Sequence, residues 1–296
     1  MLPTSLNSLA TFEAAARHQS YSLAATELHI THSAISQQMR LLEESLGVTL
    51  FERQGRQMQL TAEGTQLFKQ IQPALRQIRR ALGQVNSDKR ASEIRVATLQ
   101  SFATFWLLPR LGKFQAQHPN LSIHIQASLG VVNLDRTHID IAIRFGFGQW
   151  EGCDAEKLLD DVIYPVCSPD FNGGRFPTTP KQLRNYRILS VENGREWQIW
   201  SKEAGIDIAS FKHETHHSDS NLMLTAAKAG QGIAVARHSL VASELASGNL
   251  VRLFDLQARS DYHYYLVTST GVKKSAALLS FEKWLKAEAA AFVRQA

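Results

Sequence analysis

At 296 residues the chain is long enough for about two domains, and its 44% hydrophobic and 20% charged content excludes a disordered chain and a need for disulfide or metal staples. The net charge of +5 is only weak grounds for a polyanion partner, yet the first ninety residues hold 10 Lys and Arg against 7 Asp and Glu, and the remainder 22 against 20, so the excess is denser at the N-terminal end. Two cysteines without CxxC spacing, no leader pattern and no apolar run of about 18 residues argue against a disulfide scaffold, a signal peptide and a membrane span, and set the expectation of a cytoplasmic protein.

Three short helical patterns open the chain. Leu9, Phe12 and Ala16 line one face of Leu6–Arg17. Ser22 is the expected N-cap of a second helix, Leu23–Leu28, and Thr31 that of a third, which runs to about Leu46 and stops at Gly47. The small Ala24 and Ala25 allow a close, steep crossing, and the turn at His29-Ile30 is as short as a helix-turn-helix requires. Ile35, Met39, Leu42 and Leu46 form the buried stripe of the third helix. Its opposite face and first turn carry Thr31, His32, Ser33, Ala34, Ser36, Gln37 and Arg40. Directed, mostly uncharged hydrogen-bonding groups suit base edges in a major groove better than an ordinary solvated face, which favours Glu and Lys. The alternative reading of this segment alone is a plain three-helix bundle.

Leu50–Arg53 and Gln57–Leu60 read as two strands around Gln54-Gly55-Arg56, a wing whose Arg53 and Arg56 can grip phosphate or enter the minor groove. Thr61 then caps a long helix with Glu63 in its first turn. Leu67, Ile71, Leu75, Ile78, Leu82 and Val85 give it a narrow stripe over about 40 Å, better suited to a coiled-coil seam than to a globular core. Pro73 inside it removes one hydrogen bond and predicts a bend.

The ordered pattern Leu6-Asn7-Ser8-Leu9, Phe12–Arg17, Ala24–Leu28, Thr31–Ser36, Leu41-Leu42-Glu43, Leu46-Gly47, Leu50–Arg53 and Leu60–Gly64 resembles the LysR-type transcriptional regulators. The resemblance implies that the third helix is the recognition helix and that the long helix pairs two subunits antiparallel. The implied domains are a winged helix-turn-helix over 1–60, a linker helix over 61–89 and an effector-binding domain over 90–296.

After the polar stretch Lys89–Glu93, strands alternate with helices: Ile94–Leu99, Phe102–Gln117, Leu121–Ala127 and Ile139–Phe145, the last followed by Gly146. The alternation predicts a parallel sheet with crossover helices. A second α/β lobe begins at Val162–Cys167 and includes Ile188–Val191, a helix Asn221–Ala229 and Ile233–Ala236. The chain returns through Tyr262–Ser269 to an amphipathic helix, Ala276–Phe292. We assign 93–161 and 267–296 to lobe I and 162–266 to lobe II, a hinged clamshell with a ligand cleft between.

This half too is similar to the family's effector domain, a periplasmic-binding-protein-like fold, on Ser101-Phe102-Ala103, Trp106-Leu107, Pro109-Arg110-Leu111, Asp140–Gly146, Pro165–Pro169 and Ala226–Ala234, and looks most like the branch of the glycine-cleavage activator and the β-lactamase regulator. The whole chain then reads as an all-α, winged helix-turn-helix head plus an α/β two-lobed effector domain. The resemblance implies a homotetramer, a dimer of dimers, on double-stranded promoter DNA.

Independently of family, Ser101, Phe102 and Thr104 open a helix after a strand end, and Asp219, Ser220 and Asn221 open another. Free N–H groups at such helix starts favour a carboxylate or another anion, although each Ser, Asp or Asn can equally be a plain cap. Phe145 and Gly146 end a strand at the expected switch point. Arg144 is expected in an internal ion pair. Together these nominate a small-molecule effector that bears a carboxylate or resembles an amino acid.

His213-Glu214-Thr215-His216-His217 matches the HExxH zinc signature, which works only on a helix; the context predicts a strand, which would separate His213 from His217 by about 13 Å. Cys153 is expected in a polar loop with an unactivated thiol. No GxSxG or P-loop occurs, so neither catalytic residue, metal nor cofactor is assigned. The alternative function is a two-lobed small-molecule binder or enzyme whose head only dimerises.

Overall fold

Ser5, Ser20 and Thr31 each turn a hydroxyl back onto the backbone N–H three residues on, and so start α1 (Leu6–His18), α2 (Tyr21–Leu28) and α3 (His32–Leu46). The cap of α2 is Ser20 rather than Ser22. Starting the helix two residues earlier brings Tyr21 edge-on to Phe51, with ring centroids 5.5 Å apart. Gly47 closes α3 in the left-handed conformation, at φ 68°.

Beyond it, β1 (Phe51–Gln54) and β2 (Gln57–Leu60) pair antiparallel. Thr61 accepts the N–H of Gly64 and donates to the Thr49 carbonyl, capping α4 (Ala62–Val85), which continues through Pro73 as one helix. A single core joins these elements: Phe12, Ala24, Ile35, Met39 and Leu42 are fully buried with Leu50.

The structure, a computed structural model, describes residues 5–54, 57–85, 92–128, 134, 139–191, 194–211 and 213–294. The chain divides into two units, residues 1–87 and 88–296. Arg56 and most of the polar stretch at 89–93 lie outside the described residues.

In the second unit, β3 (Glu93–Thr98) leads into one continuous helical stretch, α5, composed of Gln100–Phe102, a π-helical turn at Ala103–Leu107 and Leu108–Gln117. Pro109 lacks the N–H that would bond the Phe105 carbonyl, and the widened turn just before it accommodates the ring. The Arg110 guanidinium donates to the Trp106 carbonyl at 2.9 Å. There follow β4 (Ser122–Ala127), β5 (Ile141–Gly146) and β6 (Cys153–Leu159), the last an exposed edge strand where a loop around Cys153 was expected.

The second lobe holds β7 (Val162–Cys167), β8 (Arg187–Val191), α6 (Arg195–Glu203), β9 (His213–His217), α7 (Ser220–Lys228), β10 (Ile233–Arg237), α8 (His238–Ala246), β11 (Val251–Arg252) and β12 (Ala258–Arg259). Then β13 (His263–Ser269) and α9 (Ala276–Val293) complete the first.

Neither sheet is purely parallel, contrary to expectation. The first has the order β4-β3-β5-β13-β6, with β13 antiparallel to both its neighbours; in the second, β7 runs antiparallel to β10, which is parallel to β8. The physical reason is the route: the chain re-enters the first sheet from the far side after building the second. His263–Leu266 therefore belong to the first lobe, not the second as assigned from sequence. The two crossings fall at Asp160-Asp161 and Ser260–Tyr262, where the Ser260 N–H donates to the Asp161 carbonyl.

Candidate nucleic-acid interface and effector cleft

Burial on α3 follows the helical period. Ile35, Met39 and Leu42 face the core, while His32, Ser33, Gln37 and Arg40 are exposed and Ala34 and Ser36 half-buried. Thr31 is exposed but is engaged as the cap, its Oγ1 also 3.0 Å from the Ser33 hydroxyl. Arg40 pairs with Glu44 on its own helix, in an exposed ion pair that water screens and DNA could replace. Thr11 donates to Gln38 at 2.6 Å, tying α3 to α1. Glu43 accepts the N–H groups of Leu50 and Phe51, tying it to the wing, whose Arg53 is exposed. The exposed face is thus backed by hydrogen bonds to α1 and to the wing.

Within the second unit the expected effector residues separate into two groups. Phe102 is fully buried in the first-lobe core, stacked on Trp106 at 4.9 Å and against Tyr264 at 4.4 Å. Gly146 leaves room for Trp150, since a Cβ there would lie 3.2 Å from that ring. Asp219 acts as a cap: one oxygen accepts the N–H groups of Asn221 and Leu222, donors that sequence reasoning had offered to an anion. Ser101 is buried, Thr104 exposed and Asn221 half-buried, with the Gln100–Phe102 turn packed against α7.

Ser220 and Phe145 converge on a residue that sequence reasoning missed, Arg237. This guanidinium ends β10 at 5% exposure and crosses between the lobes. It donates to Ser220 Oγ at 2.8 Å in the second lobe and to the Tyr264 hydroxyl at 2.9 Å in the first, and it lies 4.1 Å from the centroid of the Phe145 ring. Glu196 approaches its Nε at 3.8 Å.

Beside it Asp161, at the first crossing, accepts the N–H groups of Val162 and Ser239 and the Ser239 hydroxyl. Burial pushes its carboxyl up to about 6 despite those bonds. At the second crossing Arg195 pairs with Asp261, lying 4.3 Å from the Tyr262 ring centroid and 5.6 Å from that of Phe147. The signal available for Arg237 was a charge ending the apolar run Ile233–Ala236, but nothing local says where a strand end points.

Arg144 lies elsewhere. Strand alternation puts it on the sheet face opposite Phe145, and burial lowers its pKa. The His213–His217 segment is a strand, as its context predicted. His216 sits 2.9 Å from the Ser190 hydroxyl, and among the described residues no three His, Cys, Asp or Glu side chains gather as a metal site. Burial pushes the Cys167 thiol up to about 12. No helix among the described residues is long and apolar enough to cross a membrane.

Comparison with known proteins matches both units. Residues 6–65 fit the family described as bacterial regulatory helix-turn-helix protein, lysR family, and residues 87–290 fit the LysR substrate binding domain. The chain is 35% identical to the glycine cleavage system transcriptional activator of Escherichia coli K12, over 97% of this chain and 94% of that one. It is also 35% identical to the carbapenem-hydrolyzing beta-lactamase transcriptional activator of Serratia marcescens, over 95% and 96%. The solved effector domain of the transcriptional regulator AmpR of Pseudomonas aeruginosa superposes with a TM-score of 0.62 at 30% identity, over 69% of this chain and 98% of that one.

Proposed function

The chain belongs to the LysR family of transcriptional regulators, and from that premise we propose that α3 reads promoter DNA while the cleft between the lobes takes a carboxylate-bearing, amino-acid-like effector. It is a DNA-binding transcription regulator with an effector-binding domain, not an enzyme.

Our assignment of the DNA contacts rests on one observation: the α3 face bearing His32, Ser33, Gln37 and Arg40 is exposed, opposite a buried stripe, and the elements behind it are fixed by hydrogen bonds to α1 and the wing. In this reading Ser33, Ser36, Gln37 and Arg40 meet base edges, Thr31, His32 and Ala34 line the approach, and Arg53 and Arg56 meet the backbone. A gel shift on the chain's own upstream region tests it. Gln37→Ala should relax base preference and cost roughly 1–3 kcal/mol of specific binding; unchanged discrimination would refute the assignment.

For the effector, the supporting observation is that Ser220 from one lobe and Phe145 from the other meet at a buried cation. Ser101, Thr104 and Asn221 complete the site in this reading. Binding resets the lobe angle and thereby the DNA bend. Thr104→Val should weaken the DNA response to a metabolite panel, and a response that survived it unchanged would count against the site. We further infer a homotetramer, a dimer of dimers whose seam is α4. Its support is that Ile78 and Leu82 are exposed on the apolar stripe that buries Leu75.

A further inference from the structure

Arg237 is a buried cation held by neutral partners. Two of the five N–H groups of its guanidinium donate to hydroxyls, those of Ser220 and Tyr264, and its nearest carboxylate, Glu196, stands 3.8 Å from Nε, too far for a hydrogen bond. A buried guanidinium is ordinarily matched by a carboxylate in bidentate contact, because the loss of hydration is offset only when the ion pair is close and its donors are used. Glu196 meets the charge requirement without meeting the geometric one. The second nearby carboxylate, Asp161, spends its hydrogen bonds on Val162 and Ser239.

Resting on the reading of the cleft as the effector site, we propose that Arg237 is the anion-recognition residue of that site and that Glu196 is an internal placeholder, displaced by the carboxylate of the effector.

Charge conservation favours this exchange. With Glu196 in place the group holds one guanidinium and two carboxylates. Replacing Glu196 by a ligand carboxylate keeps that sum, so the site gains a close bidentate contact without burying additional charge. A phosphate dianion would add a negative charge beside Asp161, which disfavours it. The ligand class is therefore a monocarboxylate, including the carboxylate end of an amino acid.

The exchange also reaches the hinge. Glu196 lies in the first turn of α6 next to Arg195, whose guanidinium is clasped by Asp261 at the crossing and by the rings of Tyr262 and Phe147. Expelling Glu196 disturbs the helix start that carries this clasp, so occupancy at Arg237 is coupled to the crossing segment.

The test uses the full chain at about pH 8, where phosphate is mainly the dianion, titrated at constant ionic strength with acetate, glycine and inorganic phosphate, and read by melting temperature and tryptophan emission. Trp197 is buried one residue beyond Glu196. Acetate and glycine should give saturable shifts and phosphate none. Glu196→Gln, which removes the competitor and leaves the cation, should lower the half-saturating carboxylate concentration at least tenfold. Arg237→Lys, if it folds, should raise it at least tenfold.

The proposal is overturned if Glu196→Gln leaves carboxylate binding unchanged or weaker, if phosphate binds as well as acetate, or if neither the parent nor Glu196→Gln responds to a carboxylate. If the DNA response to a metabolite panel is lost in Thr104→Val but untouched by both of these variants, the cleft reading stands and the roles given to Arg237 and Glu196 fall. If all three leave it untouched, the cleft reading falls as well.

Discussion

The carboxylate of Glu43, in the last turn of α3, accepts the backbone N–H of Leu50 at 2.7 Å, and the same oxygen accepts that of Phe51 at 3.3 Å. The start of the wing is thus fixed by a side chain of α3. Glu43→Ala strands two backbone donors and should cost the head about 1–3 kcal/mol. It should also weaken DNA binding without altering base preference. Denaturant melts followed by far-UV circular dichroism, together with gel shifts on altered operators, check both parts; a changed preference would mean that Glu43 acts at the DNA.

Gly64 faces the same corner. A Cβ at this position would lie 2.1 Å from the Leu50 carbonyl oxygen, and because that obstacle is backbone it cannot rotate away. Gly64→Ala should therefore push α4 off the wing despite the better helix propensity of alanine, and destabilise the head by about 1–3 kcal/mol. A stabilised head would show that the contact is looser than the geometry implies.

Charging the seam of α4 separates assembly from folding. Ile78→Asp places a carboxylate where the proposed dimer buries an apolar side chain, so the variant should be monomeric by light scattering and bind DNA poorly. Since all 5 tryptophans lie beyond residue 100, their emission should show the effector domain still folded. An unchanged oligomer would refute the seam.

Asp161 titrates at about 6 when folded, against about 3.8 unfolded, because burial disfavours its charge. The folded state holds this proton more tightly. Its stabilising contribution is therefore complete below pH 4 and is lost as the pH rises through 6, a difference of about 3 kcal/mol. Asp161→Asn should remove that fall and be at least as stable as the parent at pH 7, since an amide oxygen still accepts from Val162 and Ser239. Urea melts by tryptophan emission between pH 4 and 7 measure it; identical profiles for parent and variant would exclude this carboxyl.

The head was legible in the sequence because its signals are local. Caps, a 3.6-residue period and a glycine stop each act within one helix; the slips were to choose Ser22 over Ser20, two serines equally able to cap, and to extend the buried stripe of α3 to Leu46, which is exposed at the end of the helix. In the effector domain the strands with apolar cores were visible, but β6 was not: its Cys153–Leu159 sequence is charged because it lies at an exposed edge, where burial imposes no pattern. Arg237 was missed for the opposite reason. Its role is set by Tyr264 and Phe145, residues from another lobe that no periodicity connects to it. Asp219 was read as ligand contact or cap, and in the structure one of its oxygens holds the N–H groups of Asn221 and Leu222 as a cap.

The placement of β13 bears on the order in which the domain forms. This strand fills the gap between β5 and β6, so the first lobe's sheet stays split until a segment more than one hundred residues downstream arrives. All strands of the second lobe lie between residues 162 and 259, an uninterrupted stretch that closes shorter loops, and its core takes Phe105 from α5, which precedes it in the chain. The second lobe should accordingly be complete first, both on the ribosome and in refolding, with the first assembling onto it. In pulse-labelled hydrogen exchange the amides of β10 should gain protection before those of β3 and β5. Any substitution that slows docking of β13 would then leave a half-built regulator with one finished lobe and an open sheet edge exposed to aggregation.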